Sequence, residues 1–119
     1  MPHDLDEQLA LTAQLVEVNL GHGDLVTRPR RLDHLAAFRS RTSAVAAAEE
    51  LQTRGYEIDG LGRRWFTVWL EFGKEAAVDH DSAAAFTREV VDVIDRHGGA
   101  YDGWSGFLVT EASSPAEDA

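Results

Sequence analysis

Histidine next to carboxylate is the residue combination in this chain that could carry out acid–base or metal chemistry. Asp79-His80-Asp81 places an imidazole between two carboxylates, and His22 lies two residues before Asp24. Such groups can transfer protons or bind a divalent metal. Adjacent side chains rarely point at one ion, however, Asp81 is explained as a helix cap, and no third ligand has suitable spacing. We therefore predict no metal site, no cofactor and no catalytic residue, and expect that the protein is not an enzyme.

A second segment, Gly98-Gly99-Ala100-Tyr101-Asp102-Gly103-Trp104, combines glycine with large aromatic residues. The glycine pair ends the helix before it, because glycine accepts the left-handed conformation that follows many helices. Asp102-Gly103 inside a strand predicts a bulge or a sharp bend, since glycine reaches positive φ without a steric clash. A bend there would turn Trp104 relative to Tyr101. The segment is therefore predicted to form a fixed corner, and residue types alone assign it no chemistry.

The overall charge indicates which partners the chain suits. Its 119 residues include 21 acidic and 11 basic side chains, which gives a formal net charge of −10. Binding nucleic acid needs a concentrated basic surface, so we expect no direct nucleic-acid contact and favour a basic protein partner. One local run of arginines could touch phosphate, although we interpret it as solvated charge that balances an acidic molecule. It consists of Arg28, Arg30, Arg31, Arg39 and Arg41.

Composition and length favour one soluble, cytoplasmic domain. The chain is 44% hydrophobic and contains no cysteine, so it has neither disulfides nor thiolate ligands. No apolar run approaches the roughly 20 residues of a membrane-spanning helix, and the acidic N-terminus lacks the layout of a secretory signal. We expect a single domain over residues 1–110, no membrane association, and a disordered tail over residues 111–119.

Hydrophobic periodicity predicts three helices and four strands. In chain order they are a helix over 4–20, a strand at about 31–39, a helix over 40–55, a short strand at 56–58, a turn at 59–62, a strand over 63–72, a helix from Asp81 or Ser82 to about His97, and a strand at about 100–110. Without the first helix, the order is βαββαβ. That order predicts a ferredoxin-like α+β sandwich, in which a four-stranded antiparallel sheet carries two helices on one face, plus the extra N-terminal helix.

The strand over 63–72 determines what the other face of the sheet carries. Its even positions are apolar and are predicted to face the core; they are Phe66, Val68, Leu70 and Phe72. Its odd positions place Trp65 and Trp69 on the face without helices. Exposed tryptophans favour aggregation, so the first helix or a second copy of the chain is expected to cover them. The alternative is a partner-binding surface.

Tyr101-Asp102-Gly103-Trp104, after a helix that ends in a glycine pair, resembles the signature of the ribonuclease E inhibitor RraB (regulator of ribonuclease activity B) family. Two other segments agree in order. Residues 23–34, GDLVTRPRRLDH, are similar to the family's loop into its first strand, and Arg54-Gly55-Tyr56-Glu57 is similar to its turn into the second strand. The resemblance covers about residues 5–110, and it implies a ferredoxin-like domain.

The resemblance implies a regulatory protein without enzymatic activity, which binds an endoribonuclease of the E/G type and inhibits its cleavage of RNA. In this hypothesis the partner-binding candidates are Tyr101, Asp102, Gly103, Trp104, Trp65 and Trp69. The competing hypothesis is a ferredoxin-like domain that binds a small ligand or self-associates, for instance as a homodimer, with no ribonuclease role. It predicts a pocket between Trp65, Trp69 and the first helix or a second subunit.

Overall fold

The computed structural model describes residues 3–111 and contains, within that range, three helices and four strands. In chain order these are α1 (His3–Gly21), β1 (Arg30–Phe38), α2 (Arg41–Thr53), β2 (Glu57–Arg64), β3 (Thr67–Ala76), α3 (His80–Arg96) and β4 (Ala100–Ser105). All but residue 111 of the predicted disordered tail lies outside the described residues. In the described part of the chain, no helix is both long and apolar enough to cross a membrane.

The four strands form one antiparallel sheet in the order β2-β3-β1-β4. A βαββαβ chain produces this order when each strand–helix–strand unit leaves room for a strand of the other unit. The predicted ferredoxin-like α+β fold is therefore confirmed. β1 buries its even positions against the helices, and α2 packs closely on the sheet because three of its four buried side chains are alanine. The four are Ala44, Ala47, Ala48 and Leu51.

α1 packs beside α3 on the helical face of the sheet, so this layer holds three helices. Thr12 Oγ1 lies 2.9 Å from Thr87 Oγ1 of α3 in a buried contact. Val16 is fully buried in an apolar cluster that α3 and β1 also enter. The expectation that the first helix covers Trp65 and Trp69 is therefore wrong, because α1 finds its apolar contacts on the opposite side of the sheet. We call the side without helices the open face.

The β2–β3 hairpin also differs from the prediction. β2 continues through residues 59–62, where a turn was expected. The chain reverses later, at Trp65-Phe66, between the paired residues Arg64 and Thr67. A bulge at Asp59 accommodates the irregular segment. Its glycines therefore mark a distorted strand rather than a turn. Phe66, which the alternation placed in the core, is 85% exposed at the hairpin tip.

The helix starts follow from local hydrogen bonds. Ser40 caps α2 as predicted, since its hydroxyl accepts a hydrogen bond from the backbone N–H of Ser43 at 3.1 Å. α3 is capped by Asp79 rather than by Asp81 or Ser82. Hydrogen bonds from the Ser82 side chain and backbone N–H lower the pKa of Asp79, which commits this carboxylate to a structural role.

Candidate interaction surfaces

Tyr101 and Trp104 lie on the same, helix-covered face of the sheet because β4 contains a bulge. Tyr101 pairs with Ala36 of β1 and Trp104 pairs with His34, so two β4 residues oppose the single β1 residue between them. In a regular strand, residues three apart point to opposite faces. The extra residue, together with a φ of 101° at Gly103, returns Trp104 to the face of Tyr101. The predicted bulge is confirmed, and it directs both aromatic rings into the helical layer.

Tyr101 is a core residue. Its hydroxyl lies 2.6 Å from Nδ1 of His34, and the two side chains are only 6% and 3% exposed. The His34 ring stacks on Phe72 with a centroid distance of 5.1 Å. Burial raises the pKa of Tyr101, and burial together with the charge of Arg31 lowers the pKa of His34 to about 4. Both groups are therefore neutral at pH 7, and their hydrogen bond stabilises the interior.

Trp104 joins β4 to α1 and α3. Its indole N–H donates a hydrogen bond to Thr12 Oγ1 at 3.1 Å. Its ring meets Phe86 edge to face, with a centroid distance of 5.2 Å. Tryptophan suits this position because it offers a large apolar ring and one donor for a partly buried acceptor. The motif thus acts first as a fold determinant that holds α1 on the domain.

Asp102 and the accessible edge of Trp104 line a groove of about 190 Å³ between α1 and β4. Leu11 and Leu15 of α1 form the facing wall, and Leu11 is 51% exposed. A groove with leucine and tryptophan on its walls and a carboxylate at its rim suits an arginine or lysine side chain, whose stem is apolar and whose head is charged. Within the motif, Asp102 and part of Trp104 are therefore accessible, and their role in partner binding stays a prediction.

The bulge gives a first testable expectation. Gly103 has open space around the position of a Cβ atom, but its φ lies in the left-handed region that side chains disfavour. Gly103→Ala is therefore expected to lower the free energy of unfolding by about 1–3 kcal/mol through backbone strain alone. Gly62→Ala in β2 is the matched control, because it has equal space and no positive φ. Urea unfolding of both variants checks this, and equal losses would contradict it.

Trp65 and Trp69 do not join this groove. Trp69 pairs with Ala37 of β1, and its partly buried side chain lies on the open face. Trp65 is 82% exposed at the hairpin tip. The sheet separates both residues from α1, so a pocket between them and the chain's own first helix cannot form. The six candidate residues therefore occupy three separate places: the β4 corner, the open face and the hairpin tip.

One half of the open face is strongly acidic. Arg31 lies at its centre and forms ion pairs with carboxylates on its own strand and on β2. Two further carboxylates of β3 are exposed on the same face. We call this set the acidic half; around Arg31 it comprises Asp33, Glu57, Asp59, Glu71 and Glu75. Such a charge excess creates a negative potential that attracts basic partners.

A buried ion pair fixes the loop between α1 and β1. Arg30 Nη1 donates to Asp24 Oδ2 at 2.8 Å, and both side chains are almost completely buried. The same guanidinium donates to the backbone carbonyls of Leu25, Arg28 and Phe107 at 3.0–3.2 Å. Arg30 was predicted to be a solvated charge, and that prediction is wrong because its side chain is buried. Its burial explains why the loop and the segment after β4 lie together.

A cavity of about 410 Å³ opens beside His34, Tyr56, Lys74 and Glu89. Its polar groups bond to each other and to the backbone. The Tyr56 hydroxyl donates to Glu89 at 3.0 Å, while Lys74 Nζ donates to the carbonyl of Arg54 at 2.8 Å and lies 5.0 Å from the Tyr56 ring centroid. These contacts fasten β3 to both α2 and α3, so we interpret the cluster as structural.

The histidine–carboxylate segments are dispersed in the fold. His80 Nε2 lies 2.6 Å from Glu17 Oε2 of α1, and Asp79 caps α3 beside it. Asp24 is bound to Arg30 rather than to His22. Among residues 3–111, no three metal-binding side chains come together.

Two comparisons with known proteins show the family of this chain. The family model described as regulator of ribonuclease activity B matches residues 10–105. A protein of Idiomarina loihiensis named regulator of ribonuclease activity B is 27% identical over 125 residues, which cover 99% of this chain and 95% of that protein. The matched region spans all seven elements of the sheet and helical layer except the first turns of α1. The chain therefore belongs to the family of regulators of ribonuclease activity B.

Proposed function

We propose that this protein is a non-enzymatic, cytoplasmic regulator that binds an endoribonuclease of the E/G type and inhibits its cleavage of RNA. Membership of the family supports a role in regulating a ribonuclease. The observation that carries the binding mode is the acidic half of the open face, which no described helix covers. Five carboxylates surround the single guanidinium of Arg31 there.

Charge complementarity favours a ribonuclease as the occupant of this surface. An enzyme that holds RNA neutralises phosphates with lysine and arginine, so it presents basic surface outside its complex with RNA. The acidic half offers carboxylates to such a surface, and opposite potentials speed association and fix orientation. Two copies of this chain would instead oppose like charges, which disfavours self-association through the acidic half. The partner-binding candidates Asp102 and Trp104 lie on the other side of the sheet and would provide a second, smaller contact.

Charge reversal tests this proposal. Glu71 and Glu75 are exposed on the acidic half and form no ion pair within the described residues, so Glu71→Lys/Glu75→Lys removes none of the carboxylates that pair with Arg31. The inhibition constant of this variant against a purified E/G-type endoribonuclease is expected to rise about tenfold, because attraction becomes repulsion. The measurement is cleavage of a labelled RNA at several salt concentrations. Inhibition by the wild-type protein should weaken as salt rises.

Glu49→Lys/Asp81→Lys is the matched control, since it makes the same change in net charge on exposed positions of the helical layer. It should inhibit like the wild-type protein. Equal weakening in both variants would show a non-specific charge effect and contradict the assignment of the acidic half. No inhibition by the wild-type protein at low salt would overturn the proposed function itself.

A further inference from the structure

The fold divides the arginine run of the sequence between two ends of the sheet. Arg28, Arg30 and Arg31 lie at the start of β1, whereas Arg39 and Arg41 follow its end, nine residues later. At about 3.3 Å per residue, the two groups are roughly 30 Å apart. The β2–β3 hairpin brings new residues to the second group. We call the resulting set the basic aromatic end; it comprises Arg39, Arg41, Arg63, Arg64, Trp65 and Phe66.

Strand register places these side chains close together. Phe38 pairs with Val68, and Arg64 pairs with Thr67 on the other side of the same strand. Arg39 and Arg64 therefore flank the start of β3 from its two neighbouring strands, at a Cα separation of roughly 10 Å. The four arginines at this end form no ion pair within residues 3–111. Elsewhere in the described range, four arginines are paired with carboxylates, whereas Arg28 and Arg88 are exposed without an ion pair. The paired ones are Arg30, Arg31, Arg54 and Arg96.

The aromatic residues at the tip are not explained by core packing. Trp65 is 82% and Phe66 85% exposed, although both are large apolar side chains. Trp65 also has a φ of 60°, the left-handed conformation that glycine normally adopts at the first position of a two-residue hairpin turn. A bulky residue in this conformation is strained, and such strain concentrates at functional sites. The turn therefore presents two exposed rings at the end of the hairpin.

We infer that the basic aromatic end binds single-stranded RNA. Exposed aromatic rings stack on unpaired bases, while neighbouring guanidiniums bind phosphates or stack on bases themselves. A cavity of about 480 Å³ opens beside Arg39 and Thr67, with Gly98 and Gly99 on its far wall, and provides room for an inserted base. This inference goes beyond the proposed binding of a ribonuclease, and it does not depend on that partner.

The net charge of −10 repels RNA only weakly at the basic aromatic end. At physiological ionic strength, exposed charges are screened over about 8 Å. Glu71, a carboxylate of the acidic half, lies four β3 residues from Thr67, the partner of Arg64, which corresponds to roughly 13 Å. The expectation that the protein makes no nucleic-acid contact was based on the net charge of the whole chain. The fold, however, places the acidic half and the basic aromatic end at different parts of the sheet. A lipid surface fits less well, because two aromatic side chains give far less apolar area than an interfacial helix.

Fluorescence anisotropy measures binding of a fluorescein-labelled oligouridine to the protein. The oligouridine has about 20 nucleotides, which is longer than the usual site on a single strand. Salt is varied from about 50 to 200 mM. The neutral variant Arg63→Gln/Arg64→Gln is expected to reduce the slope of log K against log salt by about 1.4, since each phosphate contact on a single strand contributes about 0.7. The variant Trp65→Gly/Phe66→Asn removes two stacking rings and is expected to weaken binding by about thirtyfold or more with an unchanged slope.

Two features keep the outcome interpretable. Trp65→Gly places glycine at the position of positive φ, so this variant is expected to fold. Circular dichroism and urea unfolding check that it does. Arg28→Gln/Arg88→Gln removes two exposed arginines elsewhere and should bind RNA like the wild-type protein. Absence of binding by the wild-type protein at low salt overturns the inference, as do equal affinities of all variants. Tip-dependent binding to phosphatidylglycerol vesicles without binding to RNA would assign the tip to membranes instead.

Discussion

Asp24→Ala is expected to lower the free energy of unfolding by about 3–5 kcal/mol, because it leaves the buried guanidinium of Arg30 without a counter-charge. The three carbonyls that Arg30 also contacts can accept hydrogen bonds, but they cannot neutralise its charge. Urea unfolding followed by circular dichroism measures the loss. Hydrogen exchange should show the greatest local loss of protection at Leu25, whose backbone N–H donates to Val109 at 2.7 Å.

The double variant Asp24→Leu/Arg30→Met separates the charge from the shape of the site. Replacing a buried ion pair with apolar residues of similar volume is often neutral or stabilising, whereas removing one partner is costly. We therefore expect the double variant to recover most of the stability that Asp24→Ala loses. If the single variant loses less than about 1 kcal/mol, the pair behaves like an exposed salt bridge and the loop is held by other contacts.

Local chemistry was sufficient to predict much of the architecture. Ser40 begins α2 because a hydroxyl at that position can cap the helix, and the bulge at Asp102-Gly103 follows from glycine's access to positive φ. The element order then selects the sheet order, since few topologies satisfy it. These features depend on residues close in sequence, which is why the sequence could predict them.

Two of the errors concern contacts between distant segments, and one concerns a local turn without the usual turn residues. α1 has apolar residues around most of its circumference, including Leu11, Val16 and Val18, so periodicity could not decide which side of the sheet it would cover. The turn at Trp65-Phe66 carries no glycine or asparagine, and the apolar alternation of β3 continues across it. The regrouping of Arg39 with Arg64 depends on strand register, which a single sequence does not reveal.

His34 is a buried residue that the sequence did not identify, because the alternation in its strand is too weak to show which face is buried. It packs among Tyr56, Phe72, Phe86 and Tyr101. Burial is the main reason that its pKa falls to about 4 from the ordinary value of 6.5, and Arg31 adds a smaller electrostatic effect. The unfolded chain therefore binds more protons than the folded protein between these two pH values.

That difference makes stability depend on pH with a definite sign. The contribution of neutral His34 is fully present above pH 6.5, and it is lost as the pH falls from there toward 4. The full effect corresponds to about 3 kcal/mol of unfolding free energy. Carboxylates also titrate near pH 4. The effect of His34 is therefore found by comparing the pH dependence of stability between a variant that keeps the imidazole and one that lacks it.

His34→Phe/Tyr101→Phe removes the imidazole together with its hydroxyl partner and keeps aromatic rings in the core. Tyr101→Phe alone is the matched control, since it retains the titrating group. Urea unfolding between pH 7 and pH 4 is expected to show a drop in stability that is about 3 kcal/mol smaller in the double variant than in the control. Parallel curves for the two variants would mean that the folded protein does not lower the pKa of His34, and that burial of this imidazole does not set the acid sensitivity of the fold.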